Sequence, residues 1–347
     1  MIAKFSPYTL DFKFEAGTSR GSLSQKNNFF ISLQHPENPD CKGIGEINVL
    51  KGLSIDDRED LVSQIAYLLQ KFERQELHKN DLQLFPAIRF ALETAQKDLA
   101  NGGKRLIYAT NFERGEQKIP INGLVWMGKK EFMLTQIHQK IEAGYTCIKM
   151  KVGAINFKEE LDLLRVIRKN FSEKEIILRV DANGAFLENE ALEKLKRLSE
   201  LALHSIEQPI ATKQYEKMAE LCEKSPVPIA LDEELIGIWA YEDKKRLLEQ
   251  LKPAYIILKP ALLGGFEASE EWIEIAEKQG IGWWVTSALE SNIGLNAIAQ
   301  WTSHLAYQGH QGLGTGQLYT NNIGSPLFIE KGFLGYDVRQ KWQEISF

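Results

Sequence analysis

Cys147-Ile148-Lys149-Met150-Lys151 is a short apolar run broken and closed by charge. Four more of the kind follow it: Leu178-Arg179-Val180-Asp181, Ser205-Ile206-Glu207, Ala230-Leu231-Asp232 and Ile257-Leu258-Lys259. Each reads as a buried strand ending in an ionisable residue, and the runs recur roughly every 25–30 residues, about one βα unit. Amphipathic stretches over 157–169, 187–201 and 241–251 fill gaps between them as helices. Outward from this block the alternation continues, with strands at 121–126, 282–286 and a short last one at 311–313, eight in all. Strands alternating with helices over about 200 residues predict a parallel sheet closed as a (β/α)8 TIM barrel. An open doubly wound sheet would carry a glycine-rich phosphate turn after its first strand, and Gly123 to Gly128 contains no GxGxxG.

The flanks have a different texture. Strand patterns at 8–14, 28–33 and 43–50 precede helical patterns at 55–72 and 85–99, and Asn101-Gly102-Gly103 supplies a helix stop. This predicts an α+β unit over 1–110, a barrel over 111–319, and a tail over 320–347. Through Leu327, Phe328, Phe333 and Leu334 the tail is expected to pack back on the N-terminal unit.

Composition narrows the function classes. Lys plus Arg number 42 against 47 Asp plus Glu, a net charge of −5, so no basic excess points to nucleic acid. The three cysteines, Cys41, Cys147 and Cys222, lie far apart without a CxxC, which argues against a disulfide framework or thiolate zinc site and for a reducing, cytoplasmic setting. Met1 to Phe14 carries Lys4, Asp11 and Lys13 with no apolar block, unlike a signal peptide, and no apolar run is long enough to span a membrane.

In a barrel the five strand-end charges collect at one mouth, where barrel enzymes do their chemistry. Any one of them alone would ordinarily be a solvated residue starting a loop. The order base, acid, acid, acid, base along consecutive strands is not what loop solvation produces. Asp181, Glu207 and Asp232 on neighbouring strands would repel one another unless a cation sat among them. With oxygen donors alone, that cation is expected to be Mg2+, with Mn2+ as second choice. Lys149 and Lys151, two apart, point to one side of their strand, and Lys259 lies roughly across the barrel. Lys149 is placed to depress the proton affinity of a neighbouring lysine base. Such a site suits removal of a proton α to the carboxylate of a small-molecule substrate.

These residues also carry a resemblance. Lys149-x-Lys151, Asp181-x-Asn183, Glu207 in Ile-Glu-Gln-Pro, Asp232-Glu233 and Lys259-Pro260 before Leu-Leu-Gly-Gly resemble the enolase superfamily in its muconate-lactonizing-enzyme subgroup. The resemblance covers nearly the whole chain and implies a modified barrel with an α+β capping domain completed by the tail. It makes Asp181, Glu207 and Asp232 the Mg2+ ligands, Lys151 the general base and Lys259 the lysine on the opposite face. Lys149 and Asn183 become supporting residues, and Glu233, alternating to the far side of Asp232, is expected to stand further back.

Within that subgroup the chain is similar to the o-succinylbenzoate synthase branch. The cues are Gly17-Thr18-Ser19-Arg20-Gly21, as a loop over the pocket, and the stretches 286–291 and 312–316. This implies a syn dehydration, with substrate contacts from Ser19, Arg20, Ser287, Leu289, Gly314 and Thr315. The glycines of the last stretch would let the backbone approach a carboxylate closely. N-succinylamino acid racemisation, dipeptide epimerisation and muconate cycloisomerisation are rivals in the same superfamily. A dipeptide epimerase would usually have Asp-x-Asp where Gly314-Thr315-Gly316 stands. A non-catalytic carboxylate-binding barrel is the alternative of another class.

Overall fold

The structure, a computed structural model, describes residues 1–18 and 21–347. Ser19 and Arg20, expected in a loop over the pocket, lie outside the described residues. Three antiparallel strands begin the chain, β1 (Ile2–Thr18), β2 (Gly21–His35) and β3 (Asn38–Ile47), paired in that order. Helices α1 (Leu61–Glu73) and α2 (Pro86–Ala100) follow. Ile31, Leu33 and Ile47 share one core with Ile65, Ile88 and Ala91. The helix α2 seats directly on β3, because a Cβ at Gly43 would come within 2.0 Å of Ala95 O and one at Gly45 within 2.0 Å of Ala91 O.

A two-residue strand, β4 (Ile119–Pro120), leads into the barrel. Its sheet runs β5 (Gly123–Val125), β6 (Cys147–Lys151), β7 (Ile177–Asp181), β8 (Ser205–Glu207), β9 (Ile229–Leu231), β10 (Tyr255–Leu258) and β11 (Gly282–Val285), each hydrogen-bonded to the next. The pairs are parallel. Consecutive strands are joined by α3 (Lys130–Glu142), α4 (Phe157–Asn170), α5 (Ala191–Ser199), α6 (Tyr215–Lys224) and α7 (Tyr241–Leu251), and then by α8 (Pro260–Leu263) with α9 (Gly265–Lys278). The last helix, α10 (Asn292–His304), follows β11.

The eighth strand expected at 311–313 is reduced to two parallel bridges, Gln311 with Ile121 and Gly312 with Thr286. Asn122 N–H donates to Gln311 O at 2.9 Å and Gly312 N–H to Val285 O at 2.8 Å. These bonds join the two edges of the seven-stranded sheet and close a modified (β/α)8 barrel. Gly312 is needed there, since a Cβ would stand 2.5 Å from Thr286 Oγ1.

The tail divides. A hairpin of β12 (Leu327–Glu330) and β13 (Phe333–Tyr336) pairs with β4, and Leu334 joins the barrel core. The sequence reading placed Leu327 and Leu334 against the N-terminal unit, whereas both pack against the barrel. The unit's own tail contacts come from elsewhere: Ile323, Trp342, Ile345 and Phe347 pack with Phe30 and Ile44. Apolar content alone could not tell these two surfaces apart.

Candidate active site

Register brings the charges together. Lys151 is paired with Asp181, and Asp181 with Glu207, so these three stand level across β6, β7 and β8. Glu207 pairs with Ala230 and Leu231 with Ile256, so Asp232 and Lys259 lie further along the barrel, each just past the end of its strand. That drift follows the tilt of barrel strands and keeps all five at one mouth.

Asp181, Glu207 and Asp232 are almost wholly buried, at 1%, 2% and 2% exposure. Asp181 Oδ2 accepts from both Lys149, at 2.9 Å, and Lys151, at 3.1 Å. Lys149 also donates to Glu207 Oε2, and Lys259 donates to Asp232 Oδ2. Burial raises Asp181, but the ammonium groups of Lys149, Lys151 and Lys259 outweigh it and hold its carboxyl far below the usual range. Glu207 goes the other way, pushed up by burial and by the charge of Asp181. Burial also works against a charged Lys149, yet Asp181 and Glu207 more than offset it, so this lysine keeps its proton more tightly than usual. Lys149 and Lys151 thus share one oxygen of the same carboxylate.

The Asp181-x-Asn183 pattern has a local cause. Asp181 Oδ1 accepts the Asn183 N–H at 3.0 Å, and Asn183 has φ of 43°, a left-handed conformation asparagine tolerates well. This turn brings Asn183 Oδ1 to 2.5 Å from the Lys151 ammonium. Its Nδ2 donates to Glu233 Oε1 at 3.0 Å. Glu233 was expected to face away, but β9 stops at Leu231 and a short 3-10 turn begins at Glu233, so strand alternation no longer applies and the side chain lines the pocket. Behind it, Gln208 Oε1 accepts the Asp232 N–H at 3.3 Å.

A cavity of about 360 Å3 opens above these groups, lined by Lys149, Lys151, Asp181, Asn183 and Lys259. Ser287, Leu289, Gly314 and Thr315 line it too. Ser287 and Thr315 meet through their hydroxyls at 2.5 Å. The close backbone approach expected along 312–316 is not required at Gly314, where a Cβ would make only ordinary contacts at 3.5 Å. Sequence reasoning missed an apolar wall of Phe14, Leu50, Leu53, Trp126 and Phe132. Phe14 meets Trp126 and Phe132 edge-on, with centroids 6.1 and 6.3 Å apart. Leu50-Lys51-Gly52-Leu53 offered a weak signal, as large apolar residues in a turn.

The donors at the mouth fit a hard cation chemically. They are all carboxylate oxygens, and Glu207 Oε1 is buried with no hydrogen-bond partner among the described residues. In the arrangement seen, the lysines supply the counter-charge, and no group of three or more Asp, Glu, His or Cys side chains among the described residues is set to chelate an ion. The cavity thus presents the Lys151 and Lys259 side chains beside an apolar wall.

Comparison with known proteins gives a consistent picture. The family described as Enolase C-terminal domain-like matches residues 133–336. An o-succinylbenzoate synthase from Desulfotalea psychrophila is 46% identical over 358 residues, covering 94% of this chain and 96% of that protein. The solved structure of MenC from the same organism aligns with a TM-score of 0.82 at 42% identity, covering 96% of this chain and 99% of that one. An N-succinylamino acid racemase from Thermus thermophilus is 35% identical over 165 residues, 47% of this chain and 42% of that protein.

Proposed function

Starting from the fact that the chain belongs to the enolase superfamily, we propose that it acts as a dehydratase of the o-succinylbenzoate synthase type. It removes water from 2-succinyl-6-hydroxy-2,4-cyclohexadiene-1-carboxylate to give o-succinylbenzoate, a step of menaquinone biosynthesis in the cytoplasm. One observation carries this reading: Lys151 and Lys259 line a single cavity that also has an apolar wall, as a ring bearing carboxylates requires.

In this reading Lys151 takes the proton α to the ring carboxylate and returns it to the hydroxyl leaving from the same face. A C–H and a C–O bond break, the ring becomes aromatic, and water departs. Lys259 stays protonated through its contact with Asp232 and presents positive charge to the enediolate. Asn183 holds the Lys151 ammonium in position. Asp181, Glu207 and Asp232 would hold Mg2+, or Mn2+ in its place, which when bound supplies Lewis-acid stabilisation of the substrate carboxylate. Ser287, Leu289, Gly314 and Thr315 bind the succinyl arm, with Ser19 and Arg20 proposed to close over it. No described helix is long and apolar enough to cross a membrane.

The test is conversion of the cyclohexadiene substrate by the purified protein with Mg2+, followed by ultraviolet absorbance. Formation of o-succinylbenzoate is expected. No conversion, together with rapid α-proton exchange of N-succinylamino acids in deuterated water, would move the assignment to racemisation.

A further inference from the structure

Where the capping sheet meets the loop after β11, a set of polar side chains is buried away from the reacting groups. Lys26 on β2 is 6% exposed, and its ammonium donates to Asn28 Oδ1 at 2.5 Å and to Asn48 Oδ1. Asn28 donates in turn to Glu46 on β3. Glu46, fully buried, accepts from the Ser291 N–H at 2.8 Å, the Ser291 hydroxyl at 2.6 Å and the Gly294 N–H at 2.8 Å. Asn48 Nδ2 donates to Ala288 O at 2.9 Å and to Glu290 Oε1 at 3.2 Å. The other oxygen of Glu290 accepts from the Ser287 hydroxyl and the Ala288 N–H, each at 2.6 Å.

Two features point beyond packing. A buried lysine with two buried carboxylates is seldom more stabilising than apolar side chains of the same volume, so its presence argues for fixing geometry. The burial is felt by the groups themselves, Lys26 being pulled down to about 8 despite the charges of Glu46 and Glu290, and Glu290 pushed up to about 7. In addition, what the cluster grips is the pocket wall. Ser287, Ala288 and Leu289 line the cavity, and Leu289 has φ of 64°, a conformation that a leucine keeps only where its surroundings impose it.

We propose that Lys26 is a positioning residue for substrate binding. Through Asn48, Glu46 and Glu290 it holds residues 287–291 in the conformation that receives the side arm of the substrate. The capping domain thereby sets affinity without touching the reacting atoms. The inference rests on the proposed reaction for its substrate, but not for the coupling of Lys26 to the loop.

Two readouts separate these parts in the Lys26→Met protein, and Asn48→Ala serves if Lys26→Met does not fold. Hydrogen exchange of the peptide spanning 286–291 is expected to speed up about tenfold, with barrel-strand peptides unchanged. KM for the cyclohexadiene substrate is expected to rise about tenfold with kcat within about threefold of wild type. Unchanged loop exchange and unchanged KM in a folded variant would overturn the proposal, as would a fall in kcat alone. Should the wild-type protein not turn over the substrate while loop exchange still responds, the coupling stands and the substrate reading falls.

Discussion

The Lys151 ammonium donates to the side-chain carbonyl of Asn183 at 2.5 Å, and the amide of the same side chain donates to Glu233 at 3.0 Å. Asn183 thus orients the proposed base from a fixed point on the next loop, and its donor and acceptor ends are both engaged. Replacing it by glycine, which keeps the left-handed turn without strain, removes both bonds. We expect kcat to fall about 10- to 100-fold with KM changed less than about threefold, because misplacement of a base costs rate more than binding. Steady-state kinetics on Asn183→Gly would refute this if kcat stayed within twofold of wild type.

How much of this was legible beforehand follows from what each feature looks like in one dimension. Lys151, Asp181, Glu207, Asp232 and Lys259 stood out because each closes an apolar run, and register alone then gathers them. Glu233 was misread because alternation was extended past Leu231, where the strand ends. The eighth strand was overestimated because barrel closure needs only the bonds of Gln311 and Gly312. The wall of Phe14, Leu50 and Leu53 and the cluster around Lys26 left almost no signal. They join residues far apart in sequence through contacts that have no period.

The two lysines should respond differently to truncation. Lys151→Ala removes the proposed proton carrier and is expected to lower kcat at least about 1,000-fold. Lys259→Ala removes a cation facing the enediolate and leaves buried Asp232 without its ammonium partner, so both activity and metal-free stability should fall. Near-normal dehydration by Lys151→Ala would exclude it as the base.

Glycines inside the capping domain and at the pocket make a paired test of packing. Gly45→Ala would press a methyl group to 2.0 Å from Ala91 O, forcing α2 off β3. A loss of about 1–3 kcal/mol is expected in urea unfolding. Gly314→Ala meets its nearest neighbour at 3.5 Å with φ of −86° already ordinary, so stability should stay within about 0.5 kcal/mol. Equal losses in both would contradict the close seating of α2.

Asp56 should make stability depend on pH in a direction opposite to that of most carboxylates. It is fully buried, accepts the Ala87 N–H at 2.8 Å at the start of α2, and leaves Oδ1 without a partner among the described residues. Burial pushes it from its ordinary 3.8 up to about 7, against the pull of the backbone bond. The folded chain therefore binds this proton more tightly than the unfolded chain does. The stabilisation is fully present below about pH 4, is lost as pH rises toward 7, and is absent above. Asp56→Asn cannot ionise, so its stability relative to wild type should rise between pH 4 and 8 by up to about 4 kcal/mol. The difference between the two proteins isolates Asp56 from Glu93 and Glu290, which are also pushed up to about 7 by burial. Urea unfolding of both proteins across that range measures it, and a difference independent of pH would mean that Asp56 keeps an ordinary proton affinity in the folded protein.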